Sequence, residues 1–125
     1  MAVTSNPRQL GQLAETAALD FLRHQGLRLV ARNWRCRLGE LDLVMQENDT
    51  LVFVEVRYRR HQGWGGALSS VTPAKQQKLI RAAQSFLQQE PRWSKHPCRF
   101  DVIAPDEQGQ CSHTRWIRDA FGGPA

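Results

Sequence analysis

Lysine is nearly missing from this basic chain. Of 17 Lys and Arg residues only Lys75, Lys78 and Lys95 are lysines, and the rest are arginines. Long apolar runs are missing too, so none reaches the ~18 residues that would span a bilayer. The opening segment MAVTSNPRQL lacks the charged-then-apolar order of a signal peptide, and a cytoplasmic location with no membrane partner is expected. The cysteines Cys36, Cys98 and Cys111 are few, far apart and without a CxxC pair. This excludes a disulfide framework and a structural zinc site, leaving small core or surface thiols. None of the histidines has metal-ligand spacing to another. There is no internal repeat and no low-complexity segment.

What is present is an ordinary globular composition, 41% hydrophobic and 23% charged. A chain of 125 residues has room for one compact domain and not two, so residues 1–125 are expected to form a single domain. The 17 cations face 12 acids, giving a net charge of +5 and a pI near 9.7. Arginine grips phosphate through a planar fork and stacks on bases. A basic, arginine-rich domain points toward nucleic acid, although many basic proteins bind none.

Asn6-Pro7 reads as a helix cap followed by proline at the first helical position. Leu10, Leu13, Ala14, Ala17, Ala18, Phe21 and Leu22 follow helical spacing, and Gly26 supplies the stop. A strand is predicted through LRLVARNW, and two more through GELDLVMQENDTLVFVEVRYR. A glycine-containing loop with Trp64 follows. Thr72-Pro73 opens a second helix with Leu79, Ile80, Ala83, Phe86 and Leu87 on one face, ending before Pro91. RFDVIA and CSHTRWI read as closing strands. The order α-β-β-β-α-β-β predicts an α/β fold, with helices packed on a mixed central sheet of about five strands.

Three acids sit inside the two central strands. Side chains alternate between the faces of a strand. Leu41, Leu43 and Met45 are therefore expected on one face, with Glu40, Asp42 and Val44 on the other. In the next strand Glu55 and Arg57 share a face with Leu51 and Phe53. Asn48-Asp49 suits a two-residue hairpin loop. That register sets Asp42 opposite Glu55, Val44 opposite Phe53 and Glu40 opposite Arg57. Glu40 and Arg57 would form a cross-strand ion pair. Asp42 and Glu55 would repel, because opposed Cβ atoms lie only ~4.5–5.5 Å apart. Either a cation sits between them or one is protonated. A hard divalent cation such as Mg²⁺ suits two carboxylates. The alternative is an exposed sheet face on which Arg57 and Arg59 neutralise both acids. Glu15 lies at the edge of the first helix's apolar stripe, either aimed at the acid pair or an ordinary boundary glutamate. Asp101 alternates with Phe100 and Val102, and is expected to face solvent or pair with an arginine.

These segments, in this order, resemble the YraN family of small bacterial endonuclease-like proteins. AETAALDFL is similar to the family's GExxAxxyL helix, with Ala14 where glycine is usual. RNWRCRLGELDLV is similar to rN…GEIDLI, and LVFVEVRYR to FVEVKxR. VTPAKQQKLIRAAQSFL, RFDVIA and DAF are similar to its second helix and closing motifs. The family in turn resembles the archaeal Holliday junction resolvases and the PD-(D/E)XK nucleases, so the resemblance implies a restriction-endonuclease-like core.

The resemblance implies that Glu15, Asp42 and Glu55 form the catalytic acids, with Asp42 and Glu55 holding Mg²⁺ or Mn²⁺. The superfamily's lysine, two residues after the second acid, falls on Arg57, a departure from the pattern. Arginine can stabilise a phosphate but cannot exchange a proton near neutrality. Lys75 is a candidate substitute from the second helix, where the macrodipole disfavours a cation; the alternative is a solvated lysine or a phosphate contact. Arg35, Arg37, Arg59, Arg60, Lys75 and Lys78 are candidate nucleic-acid contacts, with Arg32 flanking them. Trp64 either stacks on an unpaired base or packs inward. The implied function is Mg²⁺-dependent hydrolysis of phosphodiester bonds, in structured DNA such as branched or flapped duplexes, with RNA as an open alternative. The rival readings are a binding module that keeps the fold without cleaving, and a basic interaction protein with no nucleic-acid role. A homodimer is expected by analogy to the resolvases alone.

Overall fold

The computed structural model describes residues 7–57, 70–106 and 113–122. The elements follow the expected order: α1 (Pro7–His24), β1 (Arg28–Cys36), β2 (Gly39–Glu47), β3 (Thr50–Val56), α2 (Pro73–Gln89), β4 (Cys98–Ala104) and β5 (Arg115–Phe121). A short 3-10 turn, Pro91–Trp93, joins α2 to β4. The sheet order is β1-β2-β3-β4-β5, antiparallel except for the parallel β3–β4 pair. No described helix is long and apolar enough to cross a membrane.

Local signals account for the element ends. Gly26 takes φ +97 and stops α1 at a conformation few side chains tolerate. Thr72 Oγ1 accepts from the Lys75 backbone N–H at 3.2 Å, capping α2 ahead of its first-turn proline. Asn48 takes φ 54 in the β2–β3 turn, between the paired residues Glu47 and Thr50. The hairpin register is the one predicted, with Val44 opposite Phe53.

Period-two alternation in β2 and β3 divides the interior into two layers. Val44, Leu51 and Phe53 pack with Phe100 and Val102 under α2, through its Leu79, Ala82, Ala83 and Phe86. Leu43, Met45, Val52 and Val54 pack with Ile103 under Ala18, Leu19 and Leu22 of α1. The acidic ends of the central strands thus lie between a helix on each face.

Several expectations change. Leu13 is 64% exposed, and Leu19 joins the α1 core instead, because the buried stripe runs through Ala14, Ala18 and Leu22. Leu41 clusters with Val44 rather than with Leu43 and Met45, so the alternation slips beside Asp42. There Asn33 takes φ 54 between the pairs Arg32–Leu43 and Trp34–Leu41. The last strand starts at Arg115 rather than at Cys111, which lies outside the described residues together with Asn6, Arg59, Arg60 and Trp64. Cys36 and Cys98 are half-buried free thiols.

Candidate active site

Asp42 stands where the two layers meet at the end of the β2–β3 hairpin. Its Oδ2 accepts the Val56 backbone N–H at 2.9 Å. Burial raises its pKa to about 8, and the Glu55 charge, a hydrogen bond with Glu55 and the Glu15 charge push the same way; the Val56 N–H opposes them. The predicted clash of Asp42 with Glu55 is therefore present in the fold, as a crowded pair in which Asp42 holds a proton near neutrality. Glu55 itself is 5% exposed.

The cations around Glu55 come from two elements. Arg57 Nη1 lies 2.9 Å from Glu55 Oε2 and donates to it, while Arg57 Nε donates to Ser70 Oγ at 2.9 Å. Lys75 Nζ reaches the same Glu55 oxygen at 3.3 Å. Lys75 therefore meets the acid strand from the first turn of α2, as the substitution reading requires. The proposed Glu40–Arg57 ion pair is not formed. Glu40 pairs instead with Arg35 at 3.6 Å, on an exposed edge, because Arg35 is its direct partner in the β1–β2 ladder.

Released from Arg57, Glu40 joins a different group. One carboxylate oxygen from each of Glu15, Glu40 and Asp42 lies within 4.8 Å of the others. That spacing lets one hard cation touch all three. Glu15 is brought there by α1 and steadied by Arg32. Arg32 Nε lies 3.3 Å from Glu15 Oε1, and its Nη2 donates to Thr16 Oγ1 at 2.9 Å. Arg32 thus turns inward onto α1 rather than outward with Arg35 and Arg37, which are exposed. Glu40 is the site residue that sequence reasoning set aside. Its signal was its place two residues before Asp42 on the same strand face.

The acids open onto a cavity of about 210 Å³ lined by Gly39, Glu40, Asp42, Glu55, Lys75 and Lys78. Gly39, at the start of this wall, takes φ +156, a conformation side chains rarely adopt, while a Cβ there would make only ordinary contact with the Lys78 carbonyl oxygen at 3.5 Å. Acids and lysines thus share one small pocket, with Lys75 in contact with Glu55.

Asp101 belongs elsewhere. It is fully buried rather than solvent-facing, with Arg99, the Trp116 indole N–H and the Asp119 N–H all donating to its carboxylate at 2.9 Å. The expected arginine partner is correct, but the residue ties β4 to β5.

Residues 14–104 match the model of the uncharacterised protein family UPF0102. A UPF0102 protein of Stutzerimonas stutzeri (strain A1501) is 62% identical, covering 94% of this chain and 98% of the relative. One from Pseudomonas syringae pv. syringae (strain B728a) is 58% identical over 94% of this chain and 96% of its own length. One from Pseudomonas putida KT2440 is 52% identical over 97% and 98%. With a family model covering most of the chain and relatives this similar along nearly their whole length, the protein belongs to the UPF0102 family, the YraN family that its ordered motifs resemble.

Proposed function

We propose that this protein is a metal-dependent endonuclease acting on DNA, with structured duplexes as its preferred substrates. The observation that carries the reading is the convergence of Glu15, Glu40 and Asp42 within 4.8 Å, next to a Glu55 that Lys75 and Arg57 hold from the other side. The donor set is all carboxylate, which suits Mg²⁺ or Mn²⁺ over softer ions. Asp42, Glu15 and Glu40 would hold the metal, with Glu55 completing the acid wall. When bound, the metal supplies charge neutralisation and an activated water for phosphodiester hydrolysis.

The chain's own residues do the rest. Arg32 holds one oxygen of Glu15, and the Val56 N–H holds one oxygen of Asp42, so each carboxylate is oriented before anything binds. Lys75 and Lys78 line the same cavity as the acids, where they would face a phosphate and offset the charge that builds on it. Arg57 supplies fixed positive charge, and its anchor on Ser70 limits its movement. Of the two cations on Glu55, Lys75 is the one that can give up a proton, since a guanidinium stays charged.

A second reading, a nucleic-acid-binding module that no longer cleaves, is favoured by one observation. Arg57 and Lys75 both occupy Glu55 Oε2, so two cations already neutralise the acid that completes the wall beside the proposed metal. The deciding experiment is a Mg²⁺ or Mn²⁺ cleavage assay on linear, flapped and four-way DNA. Metal-dependent cutting that disappears in Glu55→Ala supports the enzyme. Cutting that persists in that variant overturns it, and binding without cutting supports the silent module.

A further inference from the structure

At the far end of α2 from the acid pocket lies a second cavity, open to solvent and about 440 Å³, lined by Asp49, Arg92, Ser94, Lys95 and His96 with flanking prolines. The intervening helix carries no acid along its whole sequence, PAKQQKLIRAAQSFLQQ. Its outer face exposes Lys78 and Arg81 at three-residue spacing and continues through Gln88. Among the described residues, Lys78, Arg81 and Lys95 have no ion-pair partner. A surface helix ordinarily intersperses acids with such cations, and here the first-turn Lys75 also opposes the macrodipole.

The far cavity has the same character. Arg92 makes a long 3.9 Å contact with Glu90, with both side chains largely in solvent, so the guanidinium remains available. Its plane lies over Trp93, 5.3 Å from the ring centroid. His96 is fixed by its Nδ1 against the Asp49 carbonyl oxygen at 2.7 Å and by the Trp93 ring, with centroids 4.8 Å apart. Asp49 is the one acid among the lining residues.

We infer that the outer face of α2 and the cavity at the Pro91–Trp93 turn form one track for the phosphate backbone of a nucleic-acid duplex, leading into the acid pocket at its Lys75 end. This rests on the proposed nucleic-acid substrate and names the surface that would hold it. Charge complementarity selects the occupant: a helix face with cations and no acid, ending at Arg92 and Lys95, matches a polyanion, and the glutamines between them can donate to phosphate oxygens. Seventeen helical residues span about 25 Å, or about seven base pairs at 3.4 Å each. The far cavity would therefore seat a phosphate about seven base pairs from the bond at the acid pocket.

The test is fluorescence anisotropy with a duplex of about 30 base pairs, without metal, across a salt series. Arg92→Ala/Lys95→Ala is compared with Arg23→Ala/Arg28→Ala, which removes the same charge from the end of α1 and the start of β1. The track variant is expected to bind at least about tenfold more weakly at low salt, with a log–log salt slope shallower by about 1.8, while the control changes little. Thermal melts of both variants establish that they are folded. Equal losses in the two variants would reduce the effect to net charge and overturn the track. So would duplex binding that neither variant alters, or binding to anionic vesicles in preference to duplex. Mn²⁺ titration of the same proteins separates the two proposals. A track that fails while the acid pocket binds metal leaves the active site standing, and the reverse outcome removes the active site alone.

Discussion

The Val56 backbone N–H donates to Asp42 Oδ2 at 2.9 Å, one step beyond the last paired residues of the β2–β3 hairpin, Leu43 and Val54. A side chain takes up a strand donor just where the two strands separate. The same bond aims a carboxylate that burial, Glu55 and Glu15 all act to protonate.

The raised pKa has a definite sign in stability. Between the ordinary carboxylate value of 3.8 and about 8, the folded protein keeps a proton on Asp42 that the unfolded chain releases. This contribution is fully present below 3.8 and is lost as pH rises through about 8. Asp42→Asn, an isostere of the protonated form, is expected to melt higher than wild type at pH 8 without metal and by a clearly smaller margin at pH 5, the gap closing only toward pH 3.8. Thermal melts at the two pH values measure this difference.

A metal bound at the proposed site would have to expel that proton. Mn²⁺ affinity is therefore expected to rise by up to about tenfold per pH unit from pH 6 and to level off above about 8. Glu55→Gln removes a neighbouring negative charge, lowers the Asp42 pKa and flattens the profile. Calorimetric titration in buffers of different ionisation enthalpy reads both the affinity and the proton released.

Lys75 and Arg57 touch the same oxygen of Glu55 but differ in what they can exchange. Lys75→Ala is expected to reduce cleavage by about 10²–10³, the usual cost of removing one positioned donor. Arg57→Lys, which restores the lysine of the nuclease pattern the sequence resembles, is expected to leave the rate within about tenfold of wild type. Single-turnover kinetics with saturating DNA separate these effects from binding.

Asp101 is a structural test rather than a functional one. Asp101→Ala removes the buried acceptor shared by Arg99, Trp116 and the Asp119 N–H, leaving Arg99 only its pairing with Glu47. A loss of about 3–5 kcal/mol is expected from breaking a buried charged network. Phe53→Ala should cost a similar ~3–5 kcal/mol, since its ring packs on Phe100 at 5.3 Å and edge-on to Phe86 at 6.0 Å. Urea unfolding measures both, and metal affinity should be unchanged in the Asp101 variant.

The parts of this protein legible in the sequence are those written in short-range chemistry. Helical spacing with Thr72-Pro73 and Gly26 marks the helices, alternation marks the strands, and Asn48-Asp49 sets the hairpin register that brings Asp42 to Glu55. Each depends on residues a few positions apart, so a linear reading reaches them. The tertiary structure alone decided which charges meet. Glu40 could pair equally well with Arg57 or Arg35 on paper, and the β1–β2 ladder chose Arg35. The contact of Lys75 with Glu55 depends on where α2 lands, and the burial of Asp101 on β5 closing over β4. Long flexible cations can reach many acids, and only packing removes the alternatives.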